Sequence, residues 1–261
     1  MTLLAAAVAG RGLVDPAAPV FGAGDEALLR GGAAFETLRV YSGRPFLLDR
    51  HLARLARSCR ALDLEPAAQV DELVDQVVAA APPDHVLRLY RTSETTLATA
   101  AALPDGIDAL RGRGITLATV DVGTPPPLLD GVKSTSYAVA LEARRIAVRG
   151  GADDALLVSG STVLDASTAN VWWSRDGILH TPATGPGVLA GVTRSLVLEL
   201  EHAVEDRYEL AALTAADEAF TTSSIREVMP VVAVDGTPVG EGRPGRAAAR
   251  LQAAIRLRSL E

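Results

Sequence analysis

The chain has 261 residues, of which 48% are hydrophobic and 22% are charged, and its formal net charge is −7. This composition is typical of a folded globular protein and excludes disorder, a collagen-like repeat or a coiled coil for the chain as a whole. The acidic balance argues against nucleic-acid binding, which requires a basic face. The single cysteine, Cys59, excludes a disulfide framework and a cysteine-based zinc site.

The termini and apolar runs give no targeting signal. The first residues lack the basic start of a signal peptide. No segment reaches the roughly 18 uninterrupted apolar residues of a membrane span. We therefore expect a cytoplasmic protein without membrane contact. The four histidines show no metal-ligand spacing, so no metal is expected.

The first half of the chain reads as strands and helices in alternation. Phe35–Leu48 is typical of two short strands joined by a Ser-Gly turn, and Asp49 is expected to cap the helix that follows. The apolar face of that helix would carry four residues at helical spacing: Leu52, Leu55, Cys59 and Leu62. A helix at Val70–Ala81 and strands at Val86–Tyr90 and Gly114–Val122 should follow.

Three consecutive prolines between Thr124 and Gly131 predict a stiff connector. The predicted organisation is a small N-terminal α/β domain at 1–122, a linker at 123–130 and a larger cofactor-binding domain at 131–261. The second half should contain helices at 136–149, 192–200 and 246–257 and strands at 155–159, 170–174, 218–222 and 231–234. The pattern favours a two-lobed α/β or α+β fold.

Lysine usage is the most informative count. Lysine and arginine total 25, and Lys133 is the one lysine. A lysine amine can deprotonate and attack a carbonyl, whereas an arginine cannot. Lys133 is therefore a candidate nucleophile, although it could also be a chance survivor of a bias towards arginine. Tyr137 lies four residues later and would share a face with it if the segment is helical.

Other polar residues suggest a phosphorylated, ring-containing ligand. Asp165 could protonate a pyridine nitrogen, or it could be a turn or cap residue. Gly191 precedes a helix start at Val192 and Thr193, where free backbone amides form an anion site. The hydroxyl cluster before Glu227 could cap a turn or bind phosphate; it includes Ser223 and Ser224.

These segments together resemble fold-type IV pyridoxal-phosphate enzymes, the class-IV aminotransferase family. The His51–Leu55 segment is similar to the family's H-x-x-R-L, and Asp165 to Asn170 matches its E-x-x-x-x-N. The G-V-T at Gly191 and the Ser/Thr loop before E-V-x-P at Glu227 also fit. The family includes branched-chain aminotransferases, D-amino-acid aminotransferases and aminodeoxychorismate lyases.

The resemblance implies roles for named residues. Lys133 would bind pyridoxal 5′-phosphate covalently and then act as the base. The cofactor contacts would come from eight residues: Arg54, Tyr137, Asp165, Asn170, Val192, Thr193, Ser223 and Ser224. It also implies a homodimer and a cofactor cleft between the two lobes.

The sequence departs from the family pattern at two positions: the carboxylate expected at the pyridine ring of the cofactor and the arginine expected to bind the substrate. Asp165 stands where the family usually has glutamate, one methylene longer. The arginine that precedes a glycine and binds a substrate carboxylate is missing, so Phe35, Arg88 and Arg91 become the substrate candidates. The resemblance is nearer to aminodeoxychorismate lyases than to branched-chain or D-amino-acid transaminases, so it implies a lyase first. A non-catalytic relative that binds a phosphate-bearing ligand remains an alternative.

Overall fold

The structure is a computed structural model that describes residues 2–260, apart from the side chain of residue 28. The chain divides into two compact units. The first unit extends to Asp105 and takes in Val132–Tyr137 as well. The second unit is formed by Gly106–Gly131 together with the chain from Ala138 onwards.

The first unit is an antiparallel sheet covered by helices. Its elements are, in chain order, β1 (Leu3–Val8), β2 (Gly12–Val14), α1 (Glu26–Arg30), β3 (Ala34–Tyr41), β4 (Arg44–Pro45), α2 (Leu48–Ala61), α3 (Val70–Ala79), β5 (His85–Arg91) and β6 (Thr96–Ala101). Within the described residues the sheet order is β2-β1-β6-β5-β3-β4. Leu38, Leu87 and Leu89 form one core with Leu55 and Val77 of the helices, so one face of the sheet is sealed by α2 and α3.

The predicted apolar face of α2 is confirmed. Leu55 and Cys59 are buried in this core, and Leu52 and Leu62 pack against it. The predicted cap is wrong, because α2 begins at Leu48 with Leu47 as its N-cap in the left-handed conformation. Asp49 lies inside the first turn instead. A carboxylate there still interacts favourably with the positive end of the helix dipole.

The second unit contains a larger mixed sheet. Its elements are α4 (Ile107–Arg113), β7 (Ile115–Asp121), a 3₁₀ turn (Pro127–Leu129), α5 (Ala138–Arg149), β8 (Asp154–Ser159), β9 (Thr162–Ala166), β10 (Asn170–Arg175), β11 (Ile178–Pro182), α6 (Val192–Leu200), β12 (Ala203–Asp206), α7 (Leu210–Thr214), β13 (Glu218–Ser223), β14 (Glu227–Val234), β15 (Thr237–Pro238) and α8 (Arg246–Arg258). The described strands are ordered β12-β11-β10-β13-β14-β7-β8-β9, with β15 beside β14. Trp173, Val171 and Met229 lie in its core.

The predicted domain boundary is wrong in two places. β7 was expected in the N-terminal domain, but it pairs in parallel with β8 and β14 of the second sheet. Residues 132–137 were expected in the C-terminal domain, but they return to the first unit. A proline run reveals a local break in the chain, whereas strand pairing depends on residues far away in sequence.

Candidate functional site

The segment that carries Lys133 is bound to the first unit by its backbone. The amide of Phe35 donates to the carbonyl of Lys133 at 3.1 Å, and the amide of Lys133 donates to the Ser58 hydroxyl at 3.0 Å. Ala34 and Ser134 form an antiparallel bridge. The segment is therefore an extended addition to the start of β3, and the helix α5 begins only at Ala138.

The amine of Lys133 lies among aromatic rings. Its Nζ donates to the Tyr137 hydroxyl at 2.9 Å and lies 4.4 Å from the centroid of the Phe35 ring. Phe35 meets the Tyr137 ring edge-on at 5.3 Å and stacks on Tyr90 at 6.0 Å. The predicted proximity of Lys133 and Tyr137 is confirmed, although a bridge and a bend in the chain rather than a helical face produce it. Lys133 is half-buried and thus accessible to a small ligand.

A buried ion pair that the sequence did not predict joins β3 to α2. Glu36 is fully buried, and its carboxylate accepts from Arg54 Nε at 2.8 Å and from Arg54 Nη2 at 2.7 Å. His51 Nδ1 lies 2.7 Å from the second carboxylate oxygen. His51 and Arg54 are three residues apart on α2, which places both on the face that covers the sheet. The sequence did contain a signal for this ion pair: a glutamate on a predicted strand, followed by H-x-x-R on the next predicted helix.

The contacts among Glu36, Arg54 and His51 determine which of these side chains are charged. Burial raises the pKa of Glu36, but the hydrogen bonds from Arg54 and then His51 lower it by more, to about 2. Burial lowers the pKa of His51 below its ordinary value, against the raising effect of Glu36. Glu36 is therefore ionised and His51 neutral at pH 7, so His51 donates from Nδ1. Its contact with Glu36 is a hydrogen bond to a charged group.

We expect Glu36 to make stability depend on pH in the acid range. Its pKa falls from 4.5 to about 2 on folding, which corresponds to about 3 kcal/mol of stabilisation above pH 4.5. That contribution should be fully present above the unfolded value and should disappear as the pH falls through about 2. Urea unfolding of the wild type and of Glu36→Gln, from pH 7 to pH 2, measures it. A difference in unfolding free energy that stays constant down to pH 2 would contradict the assignment.

The two arginine candidates of β5 lie on opposite faces of the sheet. Arg88 pairs with Thr37 and Tyr90 with Phe35, so these four residues face the same side. Arg88 is half-buried, and its hydrogen bond to Tyr90 opposes the effect of burial, which raises the pKa of that phenol. The face that bears Phe35 therefore also presents a cation.

Arg91, the other arginine predicted to contact substrate, is held inside the first unit by backbone contacts. Arg91 is 8% exposed and points to the helix-covered face. Its guanidinium donates to the backbone carbonyls of Glu65 at 2.9 Å and Thr92 at 2.6 Å. Because these carbonyls hold it, Arg91 acts as a structural anchor for the chain after β5.

In the second unit, Asp165 lies in the buried part of β9 rather than in a turn or cap. Asn170 Nδ2 lies 3.0 Å from each carboxylate oxygen of Asp165 and donates to the Leu189 carbonyl at 2.7 Å. The Leu189 amide donates to Asp165 Oδ2 at 2.9 Å. The predicted Asp165–Asn170 pair is therefore together in space, and it also holds the loop at Leu189 that leads to α6.

Gly191 sits at the N-cap of α6, directly against Asn170. A Cβ at position 191 would collide with the Asn170 carboxamide oxygen and would lie 3.2 Å from the Arg194 Cβ. Val192 and Thr193, the first helical residues, are 6% and 7% exposed. The first amides of a helix have no intrahelical acceptor and favour an anion. The structure thus brings the predicted anion site next to the Asp165–Asn170 pair.

The substitution Gly191→Ala tests this close packing. We expect it to displace Asn170, loosen Asp165 and lower the free energy of unfolding by about 1–3 kcal/mol, the usual effect of overpacking. Gly185→Ala is the matched control, because nothing lies within 4 Å of a Cβ there. Chemical denaturation of both variants gives the comparison. Equal stability of the two would show that Asn170 is not fixed against Gly191.

The hydroxyl cluster forms the turn between β13 and β14. Ser223 ends β13, and its hydroxyl accepts from the Arg226 amide at 3.3 Å. Ser224 is half-buried in the turn itself. Arg226 in turn donates to the buried Asp154 at 3.1 Å. Ser223 therefore has the turn-capping role that the sequence left open, and Ser224 is the phosphate candidate that the turn presents.

Neither a metal centre nor a membrane span occurs in the described part of the chain. Residues 2–260 contain no group of three or more histidine, cysteine, aspartate or glutamate side chains arranged for a metal ion. Their helices are all too short or too polar to cross a bilayer.

Comparisons with known proteins identify the family. The family model described as amino-transferase class IV matches residues 33–234. A bifunctional aminodeoxychorismate lyase / D-amino acid transaminase of Mycobacterium tuberculosis is 30% identical over 233 residues, which cover 78% of this chain and 81% of that protein. Because the family model spans most of the chain, the structure described here is that of a class-IV aminotransferase-family protein.

Solved structures give the same fold. The fold IV-transaminase CpuTA1 of Curtobacterium pusillum has a TM-score of 0.84 and 30% identity, with 97% of this chain and 94% of that chain covered. The PLP-bound form of a hypothetical aminotransferase from Mycobacterium tuberculosis has a TM-score of 0.88 and 25% identity, covering 98% and 99%. The predicted fold-type IV architecture is confirmed.

The cofactor of this family is pyridoxal 5′-phosphate, as the sequence predicted. The residues present fit its chemistry. A half-buried lysine beside a phenol suits the aldehyde, and a buried carboxylate suits a pyridine nitrogen. The helix N-terminus at Gly191, which has no room for a side chain, suits a phosphate.

Proposed function

We propose that this protein is a pyridoxal-phosphate-dependent enzyme that acts at the Cα of an amino substrate, and that the substrate is aminodeoxychorismate, which it converts to 4-aminobenzoate and pyruvate. The observation that carries the proposal is the amine of Lys133, 2.9 Å from the Tyr137 hydroxyl and 4.4 Å from the Phe35 ring centroid. Lysine is the side chain that both attacks a carbonyl and, once released, accepts a proton.

Each residue has a role that its chemistry suits. Pyridoxal phosphate, when bound, supplies the electron sink for the reaction. Lys133 would hold the cofactor through its carbonyl. Once the amino substrate had displaced it, the freed Nζ would accept the Cα proton, with Tyr137 orienting that Nζ. Asp165 holds the proton of the pyridine nitrogen, with its own position fixed by Asn170 and the Leu189 amide. Arg54, Thr193 and Ser224 bind phosphate oxygens, together with the backbone amides of Val192 and Thr193.

The face around Lys133 favours aminodeoxychorismate over a small aliphatic amino acid. The stacked rings of Phe35 and Tyr90 place aromatic groups on this side of the sheet, and Arg88 lies on the same side. A substrate with an unsaturated six-membered ring and carboxylates matches aromatic side chains beside a cation. We propose that Arg88 binds a substrate carboxylate.

Arg88→Gln tests the role of this arginine. Loss of one charged hydrogen-bonding partner should raise KM for the substrate by about 10- to 100-fold, with a smaller change in kcat. Arg88→Lys keeps the charge and should give an intermediate KM. Arg57→Gln is the control, since Arg57 is exposed on α2. Steady-state kinetics measure KM and kcat for each variant. An unchanged KM in Arg88→Gln would show that another residue binds the substrate carboxylate.

A transaminase is the second candidate, because the relative from Mycobacterium tuberculosis carries both activities in its name. The holoenzyme is incubated with aminodeoxychorismate in the absence of any keto acid, and separately with D-alanine or a branched-chain amino acid plus 2-oxoglutarate. Formation of 4-aminobenzoate without a keto acid supports the lyase. Turnover only with 2-oxoglutarate supports the transaminase. Cofactor binding without either reaction indicates a non-catalytic relative.

A further inference from the structure

We propose that Glu36 is a positioning residue for the cofactor phosphate and acts through Arg54; the inference rests on the proposed function. Glu36 is fully buried, yet the reaction outlined above gives it no part. Its two carboxylate oxygens meet two nitrogens of the Arg54 guanidinium at 2.8 and 2.7 Å. Such a two-point contact fixes the plane of the guanidinium as well as its place.

The carboxylate is itself held from a second direction. His51 Nδ1 lies 2.7 Å from Glu36 Oε2, the oxygen that also accepts from Arg54 Nη2. All three residues are at most 3% exposed. A buried arginine with a long, flexible stem loses its orientation unless a fixed partner opposes it, because its side chain has many rotamers. Glu36 is that partner.

The same two elements also hold the Lys133 segment. Phe35, the neighbour of Glu36 on β3, binds the Lys133 carbonyl, and Ser58, one turn after Arg54 on α2, binds the Lys133 amide. β3 and α2 thus fix Arg54 and Lys133 relative to each other within one unit. A ligand with a carbonyl at one end and a phosphate at the other must match that separation, so a fixed guanidinium contributes affinity through preorganisation.

Charge alone would argue for the opposite role. The Glu36 carboxylate carries a negative charge close to Arg54 and therefore weakens the attraction of Arg54 for a phosphate. Removing that charge without any loss of orientation should make phosphate bind more tightly. We expect Glu36 to increase phosphate affinity by orienting Arg54 more than its negative charge decreases that affinity. In Glu36→Gln the two effects therefore change phosphate affinity in opposite directions.

The experiment compares pyridoxal 5′-phosphate with pyridoxal, which lacks the phosphate, on the apoprotein. Absorbance titration gives both dissociation constants for the wild type and for Glu36→Gln. We expect the ratio of the pyridoxal constant to the pyridoxal-phosphate constant to fall by about 10-fold in Glu36→Gln, equivalent to about 1.4 kcal/mol, while pyridoxal binding itself stays unchanged. Glu65→Gln, an exposed glutamate of the same unit, should leave the ratio at the wild-type value.

Two further variants make the role of Arg54 explicit. In an Arg54→Lys background, adding Glu36→Gln should not lower the ratio again, because lysine has no planar guanidinium for Glu36 to orient. If Glu36→Gln does not fold, His51→Phe keeps the charges of Glu36 and Arg54 and removes one donor to Glu36, and it should lower the ratio by about 2- to 3-fold. Circular dichroism confirms folding for each variant.

The outcomes separate the two proposals. A ratio that is unchanged or higher in Glu36→Gln, or unchanged in His51→Phe when Glu36→Gln is unfolded, overturns the role of Glu36 and leaves the proposed function intact. A fall that persists in the Arg54→Lys background also overturns it, since Glu36 would then act independently of Arg54. Wild-type protein that does not bind pyridoxal 5′-phosphate through Lys133 overturns the proposed function and this inference with it.

Discussion

Replacing Lys133 by arginine is expected to abolish covalent attachment of the cofactor and to slow the reaction by at least about 10²–10⁴-fold, the contribution of a lost general base. Arginine keeps the positive charge next to the Tyr137 hydroxyl but does not deprotonate, so it cannot attack the carbonyl or accept the Cα proton. The measurement is the visible absorption band of the loaded protein, followed by borohydride reduction and mass spectrometry of the peptide that contains position 133.

The control for this substitution exploits the composition. Because Lys133 is the one lysine of the chain, Arg57→Lys introduces a second lysine on the exposed side of α2. Borohydride should still fix the cofactor at position 133 in that variant. Substantial label at position 57, or an unchanged band in Lys133→Arg, would show that Lys133 is not the attachment residue.

Replacing Arg54 by methionine is expected to lower the free energy of unfolding at pH 7 by about 3–5 kcal/mol. The reason is that the Glu36 carboxylate, fully buried against α2, would lose its charged partner and keep only His51. Methionine fills much of the space of the arginine stem, so the loss should reflect the charge more than a cavity. Urea denaturation at pH 7 measures the change.

The pH dependence of that loss identifies its cause. Without Arg54 the desolvated Glu36 favours its protonated form, so its folded pKa should exceed the unfolded value. The deficit of Arg54→Met should therefore shrink as the pH falls from 7 towards 4.5. The double variant Glu36→Gln/Arg54→Met should recover part of the stability, and Arg57→Met should match the wild type. A deficit below about 1 kcal/mol, or one independent of pH, would contradict a buried ion pair.

The sequence predicted the elements well where the pattern was local and periodic. The helix at 192–200 has the observed bounds, and the apolar face of α2 packs into the core as its spacing indicated. Asp49 failed as a cap because the backbone entered α2 two residues earlier, through a left-handed Leu47. Such a conformation is decided by the packing of the strand and helix on either side of it.

The candidate site was likewise predicted in part by the sequence and decided in part by tertiary packing. The count of one lysine selected Lys133, and Tyr137 was placed beside it correctly, yet the segment is an extended strand-like addition to β3. Arg88 and Arg91 were equivalent in the sequence. The extension of β5 to Arg91 placed them on opposite faces, and packing of α2 and α3 covered the face of Arg91, whose guanidinium donates to backbone carbonyls.

From residue types and local spacing the sequence indicated a two-lobed α/β or α+β fold and singled out Lys133 as the candidate amine. Its resemblance to a known family implied the family and the cofactor, and the comparisons confirmed both. The tertiary structure alone decided that β7 belongs to the second sheet, that the Lys133 segment belongs to the first unit, and that Glu36 is the partner of Arg54. The physical reason is that strand pairing and the neutralisation of a buried charge are settled between residues distant in the chain. A local pattern of hydrophobicity or charge does not determine which distant strand a strand pairs with, or which distant side chain neutralises a buried charge.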